Sequence, residues 1–294
     1  MSGLVGLLRL LEEEAKMIRI PQWNITIAYS FTETARSQAA KVYEERVRLA
    51  VNAIMRTDTG RALLQTFRSG LSKDQSIWIV PYTDENDYCN SRTGPFYSAD
   101  PETGKKWTYE GARIQYSPDR WAVDDCGWYP GQRYDEVLFH EMVHASRNMN
   151  DPAYDNTPLD LMGDYEEFLA VLCTNMYRSN NKATTFHRDY VYKLLVEKRE
   201  AYLFLSSRRQ YVTALDSLSD DNLVSAMTPM KTDYNPFRDF DQIKADYTGI
   251  QELWREINPL VGLRESERLR KIGELLEQQQ DTSVNSSSKV IQHR

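Results

Sequence analysis

His140 and His144 stand four residues apart, with Glu141 directly after the first, in the run His140-Glu141-Met142-Val143-His144. Residues four apart share one face of an α-helix, so the two imidazoles can converge on one ion. Zinc accepts imidazole nitrogen at about 2.0–2.1 Å in tetrahedral geometry. Glu141 lies about 100° round the helix from His140. That puts it beside the metal, where a general base must stand to take a proton from a zinc-bound water. Zinc lowers the pKa of such a water towards ~7 and polarises a scissile carbonyl. The chemistry expected is zinc-assisted hydrolysis.

A catalytic zinc usually takes three protein ligands and a water. The other two histidines, His187 and His293, fit poorly as the third, and His293 lies in a polar tail. The run Tyr165-Glu166-Glu167-Phe168-Leu169-Ala170 offers a carboxylate from a second helix, with Glu166 and Glu167 both candidates. The stretch from Asn150 to Asp160, rich in Asp, Asn and Pro, is long enough to turn the chain back. His187 is a candidate donor to the oxyanion of carbonyl attack, and Tyr165 and Tyr190 compete for that role. The tyrosine-rich stretch 82–129 reads either as a wall of the substrate cleft or as loop packing.

The run His140-Glu141-Met142-Val143-His144-Ala145, followed by Glu167-Phe168-Leu169-Ala170, resembles the gluzincin metallopeptidases. A similar Glu-aromatic-x-Ala run occurs in the zinc domain of anthrax lethal factor. The wider pattern, Asp135 to His140, then Tyr165 to Val171 and Asn175-Met176-Tyr177, resembles bacterial effector and polymorphic-toxin metallopeptidases, among them type III secreted enzymes that clip host kinases. The match covers residues 112–190. It implies His140, His144 and Glu167 as ligands of one zinc, with Glu141 as general base. Two departures stand out. Ser146 occupies a position that is often apolar. Val171, four residues after Glu167, cannot orient a zinc-bound histidine as an acidic residue there does, which leaves Asp164, Glu166 and Asn175 as candidates for that task.

These residues need elements to hold them. Asp135–Asn148 and Asp164–Ser179 read as the two ligand-bearing helices, with Asp135 and Glu136 favourably placed in a first turn. Ala35–Met55 carries a helical stripe through Ala39, Val42, Val47, Ala50, Val51 and Ile54, broken at Thr57-Asp58-Thr59-Gly60 and restarted over Arg61–Phe67. Ile25–Tyr29, Ser76–Tyr82 and Ala112–Tyr116 read as strands, the last as a sheet edge able to hold an extended peptide by β-addition. Residues 83–111 read as loop-rich, with a turn at Asp100–Gly104 that could close a hairpin. Residues 3–18 read as an amphipathic helix and Tyr190–Glu197 as a third helix of the site region. Short helices and a turn at Asn235-Pro236 follow over 208–240, then a long helix over Asp241–Gln280, interrupted near Pro259–Gly262. The expected fold is α+β and zincin-like: a small twisted sheet over the active-site helix, a second ligand-bearing helix, and helices added at both ends. Residues 1–280 are expected to form one domain, and 281–294 a disordered tail.

Composition narrows the function. The 294 residues carry a net charge of −7, which disfavours a nucleic-acid partner. No stretch approaches the ~20 apolar residues of a membrane span, and the N-terminal stretch makes a poor signal peptide. The three cysteines Cys89, Cys126 and Cys173 form no Cys-x-x-Cys pair, so no zinc ribbon is expected. They read as free thiols or buried small side chains, although Cys89 and Cys126 could pair. The expected function is a zinc-dependent endopeptidase acting on a protein substrate; the resemblance implies a secreted bacterial effector or toxin, delivered without a cleavable signal into a target cell with a secretion machine or chaperone as a further partner, and an enzyme of the producer's cytoplasm fits the composition equally well. The rivals are a zinc amidase on a cell-wall or small amide, and an inactive zincin-fold interaction protein.

Overall fold

Alternating apolar residues build the sheet under which the candidate site lies. In β1 (Met17–Ile20), β2 (Ile25–Ala28) and β3 (Ser76–Val80), and in the hairpin of β4 (Arg92–Ala99) and β5 (Trp107–Gln115), the strand order is β1-β2-β3-β5-β4. β2, β3 and β5 run parallel, and β1 and β4 flank them antiparallel. Ile25, Ile27, Ile77, Ile79, Ala112 and Ile114 share one face at period two and are all buried. On the other face Trp78 lies opposite Arg113, and Phe96 packs against both at 5.7 Å. This computed structural model describes residues 17–29, 37–83, 90–99, 107–122, 133–150, 157–188, 194–195, 197–252, 266–267 and 269–275.

Helices cover the apolar face. The first, α1 (Gln38–Met55), is capped by Ser37, whose hydroxyl accepts the Ala40 amide. Its buried stripe runs through Ala40, Tyr43, Val47, Ala50, Val51 and Ile54, while Val42 is exposed. Val42 precedes Val47 by five residues, about 140° off its face, so the expected stripe is corrected in its first turns. The second, α2 (Asp58–Gly70), begins directly after the cap Thr57 and contains Gly60 in its first turn. A Cβ on Gly60 would sit 1.9 Å from the Ile54 carbonyl, so glycine here permits a close crossing of α1 and α2 rather than breaking a helix.

After the short α3 (Pro118–Ala122) comes α4 (Tyr134–Asn150), which packs against β4, β5, α1, α2 and α5 (Tyr165–Asn180). A short hairpin of β6 (Phe186–His187) and β7 (Leu194–Leu195) follows, then α6 (Lys198–Ser206), α7 (Arg209–Ser217), α8 (Asn222–Met227) and α9 (Phe240–Glu252). Asn235 organises the expected turn: its side-chain amide donates to the carbonyls of Met227, Thr228 and Met230 at 3.0–3.1 Å.

The architecture is α+β with a small mixed sheet, as expected. Several elements differ from their sequence reading. Within 83–111, read as loop-rich, Arg92–Ala99 and the first half of β5 pair as antiparallel strands, and 84–89 and 100–106 lie outside the described residues. β5, which contains Ala112, is interior, and among the described residues β4 is the edge. Leu194–Leu195 pairs with Phe186–His187 instead of continuing a helix, and the next helix starts at Lys198. Met17 and Ile18 are strand residues, since pairing with Ala28 and Ile27 overrides their helical pattern. The rest of that segment, the turn at 100–104, the break near Pro259, the tail 281–294, Tyr190, Cys89 and Cys126 lie outside the described residues. Cys173 is a buried free thiol whose pKa burial pushes up. Among the described residues no helix is long and apolar enough to cross a membrane.

Candidate metal centre and active site

The helix α4 is fixed by its buried acids. Asp135 takes two hydrogen bonds from Arg133, at 2.9 and 3.0 Å, and one from the Tyr177 hydroxyl at 2.6 Å. Glu136 pairs with Arg178 at 2.5 Å, and Phe139 stacks on Tyr177 with ring centroids 4.5 Å apart. Both partners come from α5, so these contacts lock the rotation of one helix against the other. Leu138, Phe139, Met142 and Val143 fill the core around them. His140 and His144 are therefore buried together on one face, with Nε2 atoms 3.1 Å apart and rings at 77°.

The third group comes from the first turn of α5. Asp164 caps that helix, accepting the Glu167 amide at 2.9 Å. This turns the Glu167 carboxylate to the histidines, 3.2 Å from His140 Nε2 and 3.4 Å from His144 Nε2. All three donors lie within 4.8 Å of one another. Donors held tetrahedrally at ~2.05 Å from zinc stand about 3.3 Å apart, and the three separations fit that edge. Burial opposes charge on Glu167, but the two imidazoles hold its carboxyl well below the usual carboxylate range. Burial likewise opposes charge on His144, yet Glu167, with Glu141 and Glu166 behind it, lifts its pKa to about 9. The same negative field favours a divalent cation.

The residues around this group divide the remaining tasks. The Thr174 hydroxyl donates to the Ala170 carbonyl at 2.8 Å and lies 3.4 Å from His140 Nδ1. Its lone pair there favours the tautomer with the proton on Nδ1, leaving the Nε2 lone pair turned to Glu167 and His144. The sequence reading had not singled out Thr174, although it follows Glu167 by two helical turns on the same face. The three residues proposed for that task do other work. Asp164 is a helix cap. Glu166 accepts Arg147 at 2.9–3.3 Å, turned away from the histidines. Asn175 clips the main chain of His187, accepting its N–H and donating to its carbonyl, both at 2.7 Å. Ser146, where an apolar residue was expected, shares a 2.7 Å hydrogen bond with Thr66, so burial does not strand its hydroxyl.

Glu141 faces the sheet edge. The Ser91 hydroxyl donates to Oε1 at 2.7 Å and the Thr93 hydroxyl to Oε2 at 2.6 Å. Beside them opens a groove of about 550 Å³ lined by Thr93, Gly94, Pro95, Tyr97, Tyr109, Asn148 and Met149. Two tyrosines of the 82–129 stretch thus line a cleft. His187 is buried, and burial, reinforced by Arg178 and His140, pushes its pKa down to about 3, so the ring is neutral. The Tyr165 hydroxyl donates to the Ala214 carbonyl at 2.7 Å and contacts Ser217, both on α7.

A half-buried carboxylate held against two imidazoles, with the carboxylate of Glu141 facing the sheet edge nearby, can bind a divalent metal and move a proton beside it. The family model Peptidase M91, described as an effector protein, matches residues 32–181, half of the chain. That segment contains His140, Glu141, His144, Glu167 and Thr174, and ends before His187. No curated protein and no solved structure matches the chain.

Proposed function

The chain belongs to the Peptidase M91 effector family, and from that premise we propose that it is a zinc-dependent endopeptidase with a zincin-like site, acting on proteins of a target cell. The observation that carries this reading is the convergence of His140, His144 and Glu167, at separations of 3.1–3.4 Å, beside the carboxylate of Glu141. These three side chains are the proposed zinc ligands. When bound, zinc lowers the pKa of its water and polarises the scissile carbonyl.

The chain's own residues supply the rest. Thr174 keeps the His140 proton on Nδ1. Glu141 takes a proton from the attacking water and passes it to the leaving amine, so one water is consumed and a carboxyl and an amine are released. Neutral His187, held by Asn175, is the proposed N–H donor to the oxyanion. The groove along β4 favours an extended peptide over a compact amide.

Elemental analysis of purified protein tests the reading, with Glu167→Ala and Glu141→Ala beside the wild type. The expected result is about one zinc per wild-type chain, zinc lost in Glu167→Ala, and zinc kept but peptide cleavage abolished in Glu141→Ala. A wild type that binds no zinc when zinc is supplied would sink the proposal.

A further inference from the structure

The general base and the seat of the peptide are tied to one strand. Ser91 and Thr93 are two residues apart, so their side chains leave the chain on the same side, the side that faces α4. Each donates to a different oxygen of Glu141, at 2.7 and 2.6 Å, and together they fix both the position and the plane of the carboxylate. These are short, charge-assisted bonds. Thr93 lies on β4 and Ser91 directly before it, and among the described residues β4 ends the sheet, paired with β5. An edge strand can accept an extended peptide through its outer main-chain groups. Thr93 also lines the groove beside that edge, and at the next residue, Gly94, a Cβ would meet nothing within 4 Å. The face of β4 turned away from α4 is therefore open at this residue.

We propose that Ser91 and Thr93 are positioning residues that register the Glu141 carboxylate to a peptide laid along β4. The inference rests on the peptidase reading above. Its physical content is that β4 and the residue leading into it carry both the seat of the substrate and the two donors that aim the base. A shift of the strand then moves base and scissile bond together. Without the hydroxyls the carboxylate swings about its own side-chain torsions, and misplacement of a reacting group by 1 Å costs about a hundredfold in rate.

The test uses zinc-loaded full-length protein and a proteome-derived peptide mixture, followed by kinetics on the best-cleaved peptide resynthesised singly. Thr93→Val keeps the branched strand-forming shape and removes the hydroxyl. It is combined with Ser91→Ala, and Thr93→Ser is the conservative variant. The double variant is expected to keep wild-type zinc content and KM while kcat falls about tenfold to a hundredfold. Thr93→Ser should hold kcat near the wild-type level. A folded, zinc-loaded double variant with wild-type kcat overturns the inference, even if its melting temperature drops, because the hydroxyls then serve only to satisfy a buried carboxylate. A loss in Thr93→Ser equal to that in Thr93→Val also overturns it. Failure of the peptidase reading looks different: the zinc-loaded wild type cleaves no more than Glu141→Ala, and the inference falls with it.

Discussion

Arg147 holds Glu166 by a forked contact, Nε and Nη2 both within 2.9–3.3 Å of the carboxylate, and so keeps it apart from His140 and His144. Arg147 lies three residues after His144, and Glu166 directly precedes Glu167. The guanidinium also reaches Asp221, the cap of α8, which accepts the amides of Leu223 and Val224. One half-buried cation thus joins α4, α5 and α8, and sorts two adjacent carboxylates into different partners. Glu166→Ala should retain zinc, and Glu167→Ala should lose it. Arg147→Met leaves Glu166 buried without its cation and should cost about 3–5 kcal/mol of stability. Thermal unfolding together with zinc content checks both outcomes.

Thr174 should matter to affinity more than to folding. Its side chain is buried and its hydroxyl faces His140 Nδ1. Thr174→Val keeps the shape and removes the group that favours the ligating tautomer. Zinc affinity, measured by competition with a chromophoric chelator, should fall about tenfold to a hundredfold, and Thr174→Ser should restore it. Equal affinities in wild type and Thr174→Val would remove Thr174 from the site.

Zinc binding should strengthen as pH rises. The His144 pKa is lifted to about 9 in the metal-free protein, so below that value a proton must leave before Nε2 can bind metal. Affinity should rise about tenfold per pH unit from 7 towards 9 and then level off, with proton release on binding. Calorimetry in buffers of different ionisation enthalpy measures that release. A pH-independent affinity over this range would contradict the assignment of His144 as a ligand.

Acid should weaken the fold through His187. Its folded pKa is down at about 3, against about 6.5 for an unfolded histidine. Its contribution to stability is fully present above pH 6.5 and is lost as pH falls from there towards 3, because only the unfolded chain takes the proton. At pH 4.5 the loss amounts to about 2–3 kcal/mol. Replacing His187 by Gln should flatten the acid limb of stability against pH by that amount. Denaturant titrations of both proteins at pH 7 and 4.5 give the difference, and identical pH slopes would refute the buried neutral ring.

The sequence by itself determined what depends on local spacing. The positions of His140, Glu141 and His144 on one helix follow from its period, and the β-forming run Ser76–Val80, ended by Pro81, marks a strand before any neighbour is known. The helix at Tyr165 and the presence of two carboxylates in its first turn were equally legible. Which carboxylate meets the histidines was decided only in three dimensions. Glu166 and Glu167 differ by about 100° of helix rotation, and that rotation is set by contacts such as Phe139 on Tyr177 and Arg147 on Glu166, between residues far apart in the chain. The hydroxyls of Ser91, Thr93 and Thr174 carry no periodic signal, because a small polar side chain suits a loop, a strand or a helix alike. Leu194 and Leu195 became strand because Phe186 and His187 offered a partner, and that pairing overrode the helical pattern of Tyr190–Glu197. Burial and packing between distant segments turned a recognisable helix into a defined arrangement of donors.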